Sequence, residues 1–158
     1  MSHETQLAET LARLGLELPS AAGPKGVYRP ALEIDGHLYL SGHLPIRPDG
    51  SLLTGRVGEN LTEQEGYQAA RLCGLALLAT ARAQLGSLDR VRQVVKLLGA
   101  VNSTPDFSAQ PAVINGCSEL LIEVFGSEVG KGARSALGVA SLPLGAAVEI
   151  EAVFALDD

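Results

Sequence analysis

The stretch that decides the fold is GARSALGVASLPLGAAVEIEA, residues 132–152. Small and apolar residues make up nearly all of it, which is typical of buried strands, yet it also contains Arg134, Glu149 and Glu151. Charged side chains are seldom fully buried unless a partner compensates them. These three charges therefore lie either on a solvated face or against a ligand or a second subunit.

The end of this stretch alternates in the manner of a half-buried strand. Successive side chains of a strand point to opposite faces, so Val148 and Ile150 share one face while Glu149 and Glu151 share the other. The remaining neighbours of the two glutamates are apolar, which is unusual for positions that face water: Ala147, Val153 and Ala155. A solvated sheet face for the glutamates, and a strand-edge charge for Arg134, stay open as alternatives.

Outward from this stretch, the patterns predict three helices and five strands in an α+β arrangement. In chain order they are a helix over 4–15, strands over 31–35 and 37–42, a helix over 62–85, a strand over 90–101, a helix over 107–125, and strands over 133–140 and 146–156. We expect a mixed β-sheet with the two longer helices packed on one face and an extra helix at the N-terminus. The second face of the sheet then needs cover, which points to self-association.

The helix ends carry recognisable signals. Thr62 and Glu65 form a capping box at the start of the first long helix, and Gly86 supplies its end. For the second long helix, Asp106 is the expected N-cap and Gly126 the expected end.

Composition narrows the class of protein. The 158 residues fit one domain, with 46% apolar and only 19% charged residues, a balance that favours oligomerisation. A net charge of −6 and 4% aromatic residues argue against nucleic-acid binding. Cys73 and Cys117 lie far apart and are expected to be reduced, buried thiols. The first residues show no secretory signal and no apolar run is long enough to span a membrane, so we expect a soluble, cytoplasmic protein.

Four blocks of the sequence resemble the YjgF/RidA family: GVYRPALEIDGHLYLSGHLP, VVKLLGAV, DFSAQPAVING and ARSALGVASLPLGAAVEIEA. The resemblance covers about residues 26–154, within a single domain 1–158 whose residues 1–25 form an N-terminal helix and loop extension. It implies a chorismate-mutase-like fold and a homotrimer with one site at each subunit interface. It also implies hydrolysis of reactive 2-enamine or 2-imine acids, such as 2-aminoacrylate and 2-iminobutanoate, to 2-oxo acids and ammonia without a cofactor.

The same resemblance assigns roles to individual residues. Arg134 would hold the substrate carboxylate with its guanidinium, and Glu149 would orient or deprotonate the attacking water. Tyr28 would line the pocket, Ser41 would supply a hydrogen bond, and Asn115 would shape the pocket further. No metal site is implied, and the expected partner is a small carboxylate.

Several positions depart from the common family pattern and indicate a longer branch. His43 stands where glutamine is frequent, and Ala136 stands where a cysteine is frequent. Gly132 precedes Arg134 by two residues, and the interval from Asp106-Phe107 to Asn115 is longer by about one helical turn. His43 is either a pocket base with a pKa near neutrality or a polar substitute for glutamine. His3 and His37 are interpreted as surface residues.

Two other functions remain alternatives to deamination. A trimeric sensor could use the same arginine to bind a 2-oxo acid or a related carboxylate without turnover. Endoribonuclease activity, a label attached to some relatives, is disfavoured by the acidic balance and the few aromatic residues.

Overall fold

The computed structural model describes residues 1–21, 23 and 26–158, and this part of the chain forms one mixed sheet with three helices. The helices are α1 (His3–Leu14), α2 (Glu63–Leu85) and α3 (Gln110–Gly130). The strands are β1 (Ala31–Ile34), β2 (His37–His43), β3 (Val91–Asn102), β4 (Ala133–Val139) and β5 (Val148–Leu156). Their order in the sheet is β1-β2-β5-β3-β4, with β3 and β4 parallel and the other pairs antiparallel. The predicted α+β class and mixed sheet are confirmed.

The caps of α2 form as the sequence predicts. The Thr62 hydroxyl accepts a hydrogen bond from the Glu65 backbone N–H, and the Glu65 carboxylate accepts one from the Thr62 N–H. Gly86 ends the helix with φ +80°, a left-handed conformation that glycine adopts without the steric cost of a Cβ. These local signals fix both ends of the helix.

The start of α3 differs from the prediction. The N-cap position is Ala109, which offers no side-chain hydrogen bond, so the prediction of Asp106 as the cap is wrong. Pro111 lies in the first turn instead, where its fixed φ suits a helix and its missing N–H costs nothing. Gly126 interrupts the helical backbone (φ 83°, ψ 162°), as the sequence indicates, although helical structure resumes as far as Gly130.

The core lies between the helices and one face of the sheet. Helix α2 packs on β2 and β5, α3 packs on β3 and β4, and α1 packs on α3. Gly116 allows α2 and α3 to approach, because a Cβ there would lie 2.0 Å from the Tyr67 carbonyl oxygen. Cys73 and Cys117 are free and buried in this interface, as predicted. Burial raises the pKa of both thiols, that of Cys117 to about 12, so neither is a reactive thiolate.

The N-terminal helix is joined to the domain by polar contacts at both ends. The His3 Nε2–H donates a hydrogen bond to the Val91 carbonyl at 3.1 Å, and its ring stacks edge-on against Phe125 at 4.9 Å. Arg13 pairs with Glu123 of α3. His3 is therefore half-buried at an internal contact, and not the surface residue that the sequence suggested. His37 is also half-buried, and its Nδ1–H donates to the Asp35 carbonyl at the turn between β1 and β2.

The opposite face of the sheet has no helix over it within the described residues. The strand register places Leu98 beside Glu151 and Ala100 beside Glu149 on this open face. Large apolar side chains are also exposed there: Leu32, Tyr39 and Leu137. No helix in the described ranges combines the length and apolarity needed to cross a membrane.

Candidate functional site

A cavity of about 600 Å³ opens where β2 runs past the end of β1. The pairing of β1 with β2 stops at Ala31 and Leu40, so the following residues of β2 lack a strand neighbour on that side. Four of the predicted site residues line the cavity: Tyr28, Ser41, His43 and Glu149. The rest of its lining includes Gly42, Thr80 and Glu151 and an apolar part formed by Pro30, Leu44, Ile46, Ala76, Pro143 and Leu144.

A β-bulge in β2 shapes the inner wall of this cavity. Leu40 pairs with Ala152 of β5 and His43 pairs with Ile150, so three steps on β2 match two on β5. An extra residue of this kind bends a strand and redirects the groups around it. The Ser41 hydroxyl donates to the Arg29 carbonyl at 2.6 Å, and the Ser41 N–H donates to the Pro30 carbonyl at 3.0 Å.

Glu149 lies directly against this bulge. A Cβ on Gly42 would come within 2.8 Å of the Glu149 Cδ and 3.0 Å of its Oε1, so only glycine leaves room for the carboxyl group in this position. Partial burial, and secondarily the charge of Glu151, raise the pKa of Glu149 above its ordinary value. A carboxylate with a raised pKa is a stronger base than an ordinary one, and is therefore better suited to taking a proton from a bound water.

His43 is buried, with 6% of its surface exposed, and both of its ring nitrogens are engaged. Its Nδ1 lies 2.5 Å from the Ser41 carbonyl oxygen and its Nε2 lies 2.8 Å from the Thr80 hydroxyl. Burial lowers the pKa of His43, while the Ser41 carbonyl acts in the opposite direction. Tyr28, by contrast, is about half exposed, at 48%.

Arg134 and Asn115 do not line this cavity within one chain. Arg134 pairs with the buried Leu97, so its side chain extends over the helix-packed face of the sheet, towards α3. Its Nη1 donates to the Ser118 hydroxyl at 3.0 Å and its Nη2 donates to the Pro111 carbonyl at 3.3 Å. Asn115 of α3 lies four residues after Pro111 and three residues before Ser118, and thus on the same helix face as both.

The guanidinium of Arg134 is held but its charge is not neutralised. Both of its partners are neutral, and no carboxylate of the described residues lies within ion-pair distance of it. A guanidinium has five N–H donors, so three remain for a ligand. That is enough to grip a carboxylate through two parallel hydrogen bonds.

Four residues that line the cavity or contact Arg134 were not predicted from the sequence, or were given no role. Thr80 is a polar residue within the apolar run LALLATA of α2, and this was its only signal. Gly42 and Ser118 carry no signal in the sequence alone, because their importance depends on contacts with Glu149 and Arg134. Glu151 was placed on the correct face and lines the cavity. Across the described residues, no group of three or more His, Cys, Asp or Glu side chains could hold a metal ion.

This fold and cavity define an α+β protein of the chorismate-mutase-like type. A family described as "YjgF/chorismate_mutase-like, putative endoribonuclease" matches residues 8–155. The chain therefore belongs to the YjgF/RidA family, as its sequence blocks predicted.

Individual relatives match over nearly the whole chain. Protein TCP17 of Trypanosoma cruzi is 47% identical, covering 97% of this chain and 96% of its own. The human 2-iminobutanoate/2-iminopropanoate deaminase is 32% identical, covering 91% of this chain and 90% of its own. The crystal structure of Atu1372 from Agrobacterium tumefaciens, described as having unknown function, superposes with a TM-score of 0.89 at 38% identity, covering 98% and 96% of the two chains.

Proposed function

We propose that this protein hydrolyses 2-imino and 2-enamino acids to 2-oxo acids and ammonia, at sites shared between the subunits of a homotrimer. The observation that carries the proposal is the division of the predicted site. Glu149 lies in a cavity at one place in the chain, and the uncompensated guanidinium of Arg134 lies on an edge strand at another. A human relative at 32% identity is named for the deamination of such imines.

Assembly would bring the two parts together. The open sheet face exposes apolar residues that a soluble protein usually covers, and β4 is an edge strand. A closed ring of identical subunits buries such a face and sets one chain's edge against its neighbour. In this arrangement the Arg134 of one subunit completes the cavity of the next.

The chemistry needs only positioning and one proton-transfer group. Arg134 binds the carboxylate of the substrate with paired hydrogen bonds, which fixes the C=N carbon within the cavity. Glu149 takes a proton from a water whose oxygen bonds to that carbon, the π electron pair of the C=N bond moves to the nitrogen, and Glu149 gives the proton to that nitrogen. Glu149 then takes the proton of the new hydroxyl group and passes it to the nitrogen, the C–N bond breaks, and ammonia leaves with the bonding pair as the C=O bond of the 2-oxo acid forms.

A subunit-mixing experiment tests this proposal. At a substrate concentration below KM, the Arg134→Ala and Glu149→Gln proteins are each expected to keep at most about a tenth of the wild-type rate, in an assay that couples a threonine dehydratase to 2-oxo acid formation. Trimers assembled at random from equal amounts of both contain intact Arg134 and intact Glu149 at about a quarter of their sites. Activity should therefore return towards about a quarter of the wild-type value.

The control is a mixture of Arg134→Ala with the double variant that carries both changes. Every site then contains at least one defect, so no activity should return. Failure of the first mixture to recover, with trimers confirmed by mass measurement, would contradict a site shared between subunits.

Carboxylate sensing without turnover is the second candidate, because the guanidinium of Arg134 binds a carboxylate whether or not water attacks. The Glu149→Gln variant separates the two functions. Unchanged affinity for a 2-oxo acid with lost turnover supports the enzyme. A wild-type protein that binds 2-oxo acids and accelerates no imine hydrolysis supports the sensor.

A further inference from the structure

The contacts of His43 exclude it from one of its two predicted roles. A carbonyl oxygen only accepts hydrogen bonds, so the 2.5 Å contact with Ser41 places a hydrogen on Nδ1 of the imidazole. In the neutral ring Nε2 is then an acceptor, and the Thr80 hydroxyl at 2.8 Å donates to it. No ring lone pair remains that could take a proton from a water in the cavity.

We propose that His43 and Thr80 lock the Ser41–Gly42 bulge and thereby hold the Glu149 carboxyl group in place, so that His43 is a positioning residue and not a general base. The catalytic purpose of this lock rests on the proposed function, whereas the lock itself rests on the hydrogen bonds of His43. Thr80 belongs to α2, a helix buried in the core, and it anchors the imidazole to a rigid element.

The lock acts on Glu149 through the backbone of the bulge. His43 holds the Ser41 carbonyl, while the Ser41 hydroxyl and N–H hold the two carbonyls of Arg29 and Pro30. The next residue, Gly42, packs against the Glu149 side chain with no room for a Cβ. A bulge fixed at both ends thus forms the surface against which the carboxyl group rests.

The surroundings of His43 oppose protonation of its ring. The ionisable groups that share its cavity are Tyr28, Glu149 and Glu151, and Cys73 lies on the same helix as Thr80. Burial is the largest influence on His43 and opposes its protonation. The neutral ring presents one donor and one acceptor, and a glutamine side chain presents the same pair. Glutamine should therefore replace His43, and leucine should not.

Nuclear magnetic resonance tests the lock without any turnover. Nitrogen-15 shifts of the wild-type protein should show the Nδ1–H tautomer of His43, still neutral when the pH is lowered to 6.5, the ordinary pKa. Carbon-13 titration should give Glu149 a raised pKa in the wild type, in Thr80→Ser and in His43→Gln. In Thr80→Val and His43→Leu the pKa of Glu149 should move back towards its ordinary value, because the loosened bulge admits water.

Kinetics supply the second readout. His43→Gln should keep kcat within about tenfold of the wild type and leave the pH profile in place, whereas Thr80→Val should lose roughly a hundredfold, the cost of about 1 Å of misplacement. His37→Gln, a histidine of β2 outside the cavity, is the matched control and should change nothing.

Three results would overturn the lock. They are an Nε2–H tautomer in the wild type, a Glu149 titration unchanged in both Thr80→Val and His43→Leu, and a His43→Gln variant that loses activity together with one limb of the pH profile. If the wild type hydrolyses no imine but the resonances behave as expected, the lock stands and the proposed function falls. The Thr80 variants keep the test decisive even if His43→Leu fails to fold.

Discussion

A single methyl group at position 42 would test the role of Glu149 directly. In Gly42→Ala the new Cβ would lie 2.8 Å from the Glu149 Cδ and 3.0 Å from its Oε1, where an ordinary contact needs about 3.5–4.0 Å. The backbone of Gly42 is outside the left-handed region, so alanine adopts it without strain. The collision is therefore confined to the end of a flexible side chain, which must move by roughly 1 Å.

The expected effect falls on catalysis far more than on stability. A displacement of about 1 Å of a catalytic group costs about a hundredfold in rate, which corresponds to about 2.7 kcal/mol of barrier. The melting temperature should change little, because Glu149 is only half-buried and can swing towards the cavity. The measurements are kcat/KM for 2-iminobutanoate hydrolysis and thermal unfolding on the same preparation.

A double-mutant cycle shows whether the methyl group acts through Glu149. In a Glu149→Gln background, where the proton-transfer group is already gone, Gly42→Ala should cost almost nothing further. Losses that simply add, or a Gly42→Ala protein with wild-type kcat/KM, would refute the reasoning that the bulge places this carboxyl group.

Other changes have equally definite outcomes. Arg134→Ala should raise KM about 10- to 100-fold, because it removes about 1.5–3 kcal/mol of charged hydrogen bonding. Arg134→Lys should not restore the wild-type KM, because an ammonium lacks the planar fork of a guanidinium. Equal KM values for Arg134→Lys and wild type would contradict this. Ser118→Ala should raise KM a few-fold with kcat unchanged, because it removes the hydroxyl that holds Nη1 of Arg134; a fall in kcat alone would contradict it. Burial lowers the pKa of His43 below the 6.5 of the unfolded chain, so the stability from its neutral form is complete above pH 6.5 and is lost as the pH falls through the lowered pKa. The melting-temperature advantage of wild type over His43→Gln should accordingly narrow as the pH falls below about 6.5, and a constant difference across that range would show that His43 does not titrate on unfolding.

The fold was predictable because its signals are local. The alternation in VEIE, the Thr62 capping box and the Gly86 stop each act within a few residues, and all three form as expected. The start of α3 was predicted too early in the chain, because Asp106 is a residue type that caps helices but does not cap this one. The helix begins instead beside Pro111, whose fixed φ favours the first turn. The bulge in β2 could not be predicted from the sequence, because a bulge is defined by how the residues of β2 pair with those of β5. Thr80 could not be matched to His43 for the same reason: α2 reaches β2 only in the folded chain.

The topology of the sheet explains why Arg134 and Glu149 cannot meet within one chain. Strand β3 lies between their strands, which places β4 and β5 about 10 Å apart. Arg134 pairs with Leu97 and extends over the helix-packed face, while Glu149 pairs with Ala100 on the open face. The two side chains leave opposite faces of the sheet from strands that are not neighbours, so the proposed reaction, which needs both groups on one substrate, needs a second subunit. A monomeric form of this protein, made by charged substitution of the exposed Leu137 on the open face, should retain the fold and lose imine hydrolysis completely. Hydrolysis at the wild-type rate by a verified monomer would exclude the shared site, whatever residues carried the reaction.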